Sequence, residues 1–273
     1  MPISNQRYAL GCQEALHLLT CAFERPSWTE LNLFHGSCGG YTGNICANTR
    51  LGIPALKMND GPQGFRGAAS TSTAFPAALT VGATWSVQLA QRWGEAMGDE
   101  FFRKGANVQL GPGLCLARVP RNGRTFEYVS GEDPYLGYHL GAAVVSGIQS
   151  KGVVANAKHW VNNNQETDRH FISENVDERS QFELYYPPFE GAIRYIRFIR
   201  FIRFIRYIIY MRYIRFIRSI PPFEGAIRAG LGSVMCSYNL IGQGLPAGHV
   251  GNWSCENSDT LRRDLKGRLG FDG

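Results

Sequence analysis

No run of about eighteen apolar residues occurs anywhere in the chain, so the sequence contains no span suited to a membrane-crossing helix. Charge is unevenly placed. Residues 195–228 carry eight Arg and one Glu, a net +7, which leaves the other 239 residues at −1. The formal +6 therefore does not mark a generally basic protein, and neither a nucleic-acid nor a membrane partner is expected of its body. Zinc spacings are missing too: there is no CxxC pair and no Cys/His ladder, and no metal or cofactor is expected. The seven cysteines (Cys12, Cys21, Cys38, Cys46, Cys115, Cys236 and Cys255) are odd in number, so at least one has no intrachain partner. Cys38 and Cys46 could bridge a loop in an oxidising compartment. No convincing signal peptide is legible, because Gln13, Glu14 and His17 interrupt the partly apolar stretch 9–22 and only Arg7 precedes it. Compartment is left open, and the sequon Asn252-Trp253-Ser254 matters only in a secreted chain.

What is present is an alternation of strands and helices. At 273 residues the chain can bury a substantial core. The first thirty residues carry one weak helical pattern, around Gln13–Phe23, and His35–Asn48 reads as a loop. Pro54–Met58 reads as a strand, followed by a turn shaped by glycine and proline over Asn59-Asp60-Gly61-Pro62-Gln63-Gly64. Ser86 is placed to cap a helix running to about Lys104, with Ala90, Trp93, Met97 and Phe101 as its core stripe. Val108–Leu110 reads as a strand. Asp133-Pro134 then supplies an N-cap and first turn to a helix whose buried face is Leu136, Leu140, Val144 and Ile148. Further helices are expected near Asp177–Tyr185, before Gly230 and over Ser258–Lys266, with a strand at Ser233–Cys236. Strands alternating with helices argue for α/β architecture, and polar clusters after each strand favour a (β/α) barrel.

The stretch Ala155–Arg169 is the centre of this pattern. The apolar Val153-Val154-Ala155 reads as a buried strand that ends in Lys158-His159 and is followed by Asn, Gln, Glu, Asp and Arg, with paired amides over 162–165. Core residues followed abruptly by hydrogen-bonding groups mark the C-terminal end of a barrel strand, and such groups suit a ligand rich in hydroxyls. A solvated loop with a satisfied histidine is the alternative.

DGPQGFR (60–66), ARVPRNGRTFEYVSGEDPYLG (117–137), AKHWVNNNQETDR (157–169) and VMCSYN (234–239) resemble, in order, the N-terminal barrel domain of glycoside hydrolase family 3. The resemblance runs from about residue 34 to the end, leaving 1–33 as a separate, poorly defined segment. NNQETDR is more similar to the β-glucosidase branch than to the N-acetylglucosaminidases, where a PGHG-like sequence usually follows KH. The resemblance implies a partial (β/α)8 TIM-like barrel, incomplete at the C-terminus, and retaining hydrolysis of terminal non-reducing β-D-glucosyl residues. By motif, Asp60 would grip two sugar hydroxyls, Arg124, Lys158 and His159 would bind others, and Tyr238 would line the same subsite. Chemistry agrees, since a carboxylate accepts from two hydroxyls while Arg and Lys donate with charge assistance. Arg124 and Glu127 could instead simply pair, and Tyr238 could be core. Glu132 and Asp133 are assigned to capping.

Two departures from the family follow. Retaining hydrolysis needs two carboxyl groups about 5–5.5 Å apart. In the family the nucleophile is the Asp of an SDW-like motif just after a GFDG-like sequence, which here is Gly270–Gly273. It is therefore expected just beyond Gly273, with the acid/base in a following sandwich domain. No catalytic residue is assigned, and the chain as given is expected to be inactive, with a non-catalytic carbohydrate-binding role as the alternative. The second departure is PPFEGAIR, which occurs at 187–194 and again at 221–228. Between the copies lies a three-residue Arg/Ile/aromatic repeat over 195–220. On a helix a three-residue step advances about 300°, so its arginines would spiral with no apolar face. The segment reads as a low-complexity insertion; a basic interaction surface is the lesser alternative.

Overall fold

The computed structural model describes residues 40–47, 54–66, 71–193, 231–242 and 251–271. The expected helix at Gln13–Phe23, the Arg-rich repeat, the helix before Gly230 and Cys38 lie outside them. Eight strands are described: β1 (Gly43–Ile45), β2 (Leu56–Asp60), β3 (Val108–Leu110), β4 (Val154–Trp160), β5 (Ser173–Glu174), β6 (Ser233–Cys236), β7 (Leu240–Ile241) and β8 (Asn252–Trp253). The larger sheet has the order β1-β2-β3-β4-β6, with β1 antiparallel to β2 and the rest parallel. It curls into the wall of a TIM-like barrel, as the alternating pattern predicts. The smaller sheet, β5-β7-β8, joins loops that follow β4 and β6.

Helices α1 (Ala78–Gly82), α2 (Val87–Arg103) and α3 (Pro134–Ser150) connect β2 to β3 and β3 to β4. The two long ones start where their caps require. Ser86 Oγ accepts from the Leu89 amide at 3.2 Å, and Asp133 Oδ1 from the Tyr135 amide at 2.9 Å, each satisfying a donor that the first turn leaves open. Pro134 takes the first helical position, where a missing N–H costs nothing. Ala90, Trp93, Met97 and Phe101 are buried on α2, and Leu140, Val144 and Ile148 on α3. The two helices meet backbone to backbone. A Cβ on Gly94 would lie 2.5 Å from the Val144 carbonyl oxygen, and one on Gly98 would lie 2.8 Å from that of Ile148.

After β5, Asp177 caps α4 (Glu178–Ser180), which continues as a π-helical turn over Gln181–Tyr185; residues 187–193 are again helical. The last helix, α5, is π-helical over Asp259–Arg268. It is fastened to β4 from the side. Trp160 donates through Nε1 to the Thr260 carbonyl at 3.2 Å and stacks on Tyr186 at 4.7 Å, while Tyr186 donates to Asp264 at 2.8 Å.

β4 runs through Lys158 and His159, where the strand is expected to end, and one residue further to Trp160. The register against β6 slips between Lys158 and Trp160, leaving His159 as the extra residue of a bulge. The Lys158–His159 and Trp160–Val161 peptide bonds are cis. Cys236 at the end of β6 is disulfide-bonded to Cys255, a pair the spacing did not suggest; Cys46 is also disulfide-bonded, and Cys115 is free. Among the described residues no helix is long and apolar enough to cross a membrane.

Candidate functional site

Parallel strands in one sheet bring their C-terminal ends to one rim, and the polar residues singled out in the sequence lie along it. β2 ends on Asp60, β4 carries Lys158 and His159 near its end, Arg124 lies in the loop after β3, and Tyr238 follows β6. Asp60 and Lys158 meet directly, Oδ1 to Nζ at 2.8 Å. The Lys158 side chain is 4% exposed, a burial that a lysine tolerates only with its charge matched. The other carboxylate oxygen of Asp60 accepts from Arg66 Nη1 at 3.2 Å. Arg66 is brought back by the turn itself, its amide donating to the Asp60 carbonyl at 2.8 Å and to Asn59 Oδ1 at 3.1 Å.

Arg124 sits between two carboxylates. Its Nη2 pairs with Glu127, and its Nη1 lies 3.3 Å from Glu166 Oε1. The pairing with Glu127 is thus real, and it does not take Arg124 away from the rim. Glu166 reaches on with Oε2 to Arg169 Nη1 at 3.0 Å, so one carboxylate spans two guanidinium groups. Both are near the ring of Tyr238, Arg169 at 4.1 Å from its centroid and Arg124 at 6.0 Å. A ring face against cations is an electrostatically favourable contact. Tyr238 is therefore a wall of the rim and not a core side chain.

His159 is buried, with its ring 5.5 Å from that of Tyr238. Its Nδ1 lies 3.2 Å from Tyr128 Oη and 3.2 Å from Asn163 Nδ2, while Nε2 is buried without a hydrogen-bond partner. Burial, reinforced by the positive charges of Lys158, Arg124 and Arg169, holds its pKa well below the ordinary imidazole range. The ring is accordingly neutral at pH 7. Cys115 Sγ accepts from the His159 amide at 3.4 Å, and burial pushes this thiol up to about 11, so it serves as an inert backbone anchor.

The rim thus combines a carboxylate, an ammonium, two guanidinium groups, a neutral imidazole and an aromatic face. These are the groups that bind a ring carrying several hydroxyls. Sequence reasoning gave no role to Arg66 or Tyr128, and took Asn163, Glu166 and Arg169 only as members of the polar cluster after β4. All five fall inside the family-like motifs, and for Arg66 and Tyr128 the offsets from Asp60 and Arg124 are the only signal. No group of three or more His, Cys, Asp or Glu placed to hold a metal occurs among the described residues.

Residues 41–196 match the glycosyl hydrolase family 3 N terminal domain. The chain is 38% identical over 250 residues to a probable beta-glucosidase A of Aspergillus terreus, covering 86% of this chain and 24% of that protein. Among solved structures it is similar to the beta-glucosidase D2-BGL from Chaetomella raphigera, with TM-score 0.73 and 31% identity over 96% of this chain and 31% of that one. It is also similar to DesR, a beta-glucosidase from Streptomyces venezuelae in complex with D-glucose, with TM-score 0.66 and 30% identity over 86% of this chain and 24% of that one. The chain spans about a quarter of the length of the curated relatives it matches.

Proposed function

The chain belongs to glycosyl hydrolase family 3, and we propose that its rim is the half-site that holds the terminal β-D-glucosyl ring of a β-glucoside or oligosaccharide for retaining hydrolysis. The observation that carries this is the convergence of Asp60, Lys158 and His159 from two different strands, with Arg124 and Tyr238 closing the other side. Asp60 is suited to accept from sugar hydroxyls and not to attack carbon, because a cation already sits on each of its oxygens. Lys158 and Arg124 donate, neutral His159 contributes a ring nitrogen, and Tyr238 packs against the ring. The two carboxyl groups of the retaining mechanism, about 5–5.5 Å apart, are not drawn from these five residues. The barrel unit is taken as residues 34–273, with 1–33 outside it and 195–220 as an insertion.

The test is direct binding. Glucose titrated into the purified chain should bind, and Asp60→Ala should lower the affinity by tenfold or more, since hydrogen bonds to a charged group are worth about 1.5–3 kcal/mol each. Equal affinity in both proteins would remove the assignment.

A further inference from the structure

Three polar atoms around His159 form a closed triangle. Tyr128 Oη lies 3.1 Å from Asn163 Nδ2, and both lie 3.2 Å from His159 Nδ1. Tyr128 Oη is also 3.3 Å from the backbone carbonyl of Asn163, and all three side chains are buried. Proton counting decides what this triangle can hold. The two hydrogens of the Asn163 amide can go to Tyr128 Oη and to His159 Nδ1, while the Tyr128 hydroxyl donates to the Asn163 carbonyl. Each of these hydrogens then faces an acceptor, provided Nδ1 carries no proton, and Tyr128 Oη and Nδ1 meet as two acceptors of the same amide. A proton on Nδ1 could go to Tyr128 Oη, but it would leave the second Asn163 amide hydrogen against a donor 3.2 Å away. Turning the amide over would relieve that clash by presenting Oδ1 to Nδ1–H. It would also put an NH2 group, two donors, where the buried Oδ1 now has no partner. Buried orphan N–H groups are rarer than under-satisfied carbonyl oxygens, so the first arrangement is favoured.

We propose that Tyr128 and Asn163 are positioning residues that hold His159 as the Nε2–H tautomer, so that the imidazole meets a ligand in the rim as a hydrogen-bond donor. In a neutral imidazole the nitrogen that accepts fixes the other as the donor. The unpartnered Nε2 lies on the ring beside Tyr238, among Lys158, Arg124 and Arg169. A bare Nε2 could receive a hydroxyl hydrogen; Nε2–H instead gives its proton to a hydroxyl oxygen. The rim then offers donors from Lys158, Arg124 and His159, with Asp60 as the acceptor opposite them. The assignment rests on the glucoside reading only for the identity of the oxygen that receives the proton.

The measurement is the 15N spectrum of the histidine rings in the full chain, where the two tautomers have distinct nitrogen signatures. The six histidines are separated by a variant retaining His159 alone, with His17, His35, His139, His170 and His249 each changed to Gln. The disappearance of a signal in His159→Gln gives an independent assignment. We expect Nδ1 at the unprotonated position and Nε2 at the protonated one. Asn163→Asp, whose carboxylate can only accept, should move the proton onto Nδ1, and Tyr128→Phe should leave a mixture of the two forms. An unprotonated Nε2 in the unaltered chain overturns the proposal. A tautomer insensitive to both Tyr128→Phe and Asn163→Asp overturns the role of those residues. Added glucose separates the two readings: a protonated Nε2 that does not respond to glucose sustains the tautomer and counts against the glucoside site.

Discussion

Lys158 Nζ and Asp60 Oδ1 are 98 residues apart along the chain and 2.8 Å apart in space, joined across β3, which lies between their strands. The contact has structural and chemical consequences at once. It lets a lysine sit almost wholly buried inside β4, and it orients the carboxylate expected to meet a sugar. Asp60→Asn should therefore destabilise the fold as well as weaken binding. Breaking a buried pair costs about 3–5 kcal/mol, and the partial exposure of Asp60 puts this case near 3. Adding Lys158→Met to Asp60→Asn should restore part of the loss, since the uncompensated ammonium is then gone. Urea melts of the two single variants and the double variant check this; strict additivity would mean the two groups do not interact.

A second expectation concerns Glu166. It neutralises Arg124 and Arg169 together, and both guanidinium groups lie close to the Tyr238 ring. Glu166→Ala leaves two cations beside one another, with Arg124 still tied to Glu127 and Arg169 without its carboxylate partner. Glucose affinity should fall about tenfold, roughly 1.4 kcal/mol, and rising salt should recover some of it by screening the repulsion. Calorimetric titration at two ionic strengths is the check. An unchanged affinity at both would show that Arg124 needs no second carboxylate.

Much of the frame was readable because its signals are local. Ser86 and Asp133 mark helix starts by their own side-chain chemistry, and the stripe from Ala90 to Phe101 needs no knowledge of what it packs on. β3 and β6 fall on the residues expected. β4 ends one residue beyond the expected Lys158-His159, and what the strand pattern could not show is that the burial of Lys158 depends on a partner 98 residues away. The same distance hid the work of Tyr128 and Glu166, whose partners lie 31 and 42 residues off. The Cys236–Cys255 pair depends on where β6 and the loop after β8 arrive together, which no spacing rule states. Asp60, Arg124, Lys158, His159 and Tyr238 lie along one rim; Lys158 and His159 are legible there from the apolar-to-polar switch in their strand, the other three from motif resemblance.

The seam between α2 and α3 should be intolerant of one carbon atom. Gly94→Ala places a methyl 2.5 Å from the Val144 carbonyl oxygen, inside any real carbon–oxygen contact, so the helices must separate. Overpacking of this kind costs about 1–3 kcal/mol, against which alanine's better helix propensity returns less than about 1. A lowered Tm with unchanged helical circular dichroism is expected. A rise in Tm would show that the helices have slack at this crossing.

Stability should also carry an identifiable pH signature. Burial pushes the Glu174 carboxyl from its ordinary 4.5 up to about 7, so the folded chain binds this proton more tightly than the unfolded chain. Between those two values the folded state holds more protons, and stability falls as pH rises; below 4.5 the contribution is fully present, and above 7 it is lost. Glu174→Gln, which stays neutral throughout, should flatten that fall. Chemical denaturation of both proteins across this window decides it, and parallel curves would show that Glu174 is effectively solvated.

The duplicated PPFEGAIR sets up the last prediction. Residues 187–193 are helical and dock on β4 through Phe189, whose ring meets Trp160 edge to face at 5.1 Å. β6 starts at Ser233 and pairs directly with β4. Deleting 195–228 keeps the first copy of the octapeptide, with Phe189 in place, and leaves Arg194, Ala229, Gly230, Leu231 and Gly232 to connect helix and strand. That matches the usual helix-to-strand connection of about 2–6 residues, so a crossover of ordinary length is expected. The deletion also removes Phe, Tyr and Ile that recur every three residues between arginines, a pattern of high β propensity with no face free of charge. The shortened chain should give more soluble protein and retain the glucose affinity of the intact chain, because the deletion removes none of Asp60, Arg124, Lys158, His159 or Tyr238 and keeps β6 whole beside β4. Soluble yield, limited proteolysis and glucose titration of the two proteins form the comparison. A shortened chain that is less soluble, beside an intact chain resistant to protease across 195–220, would make the repeat a structural part of the barrel.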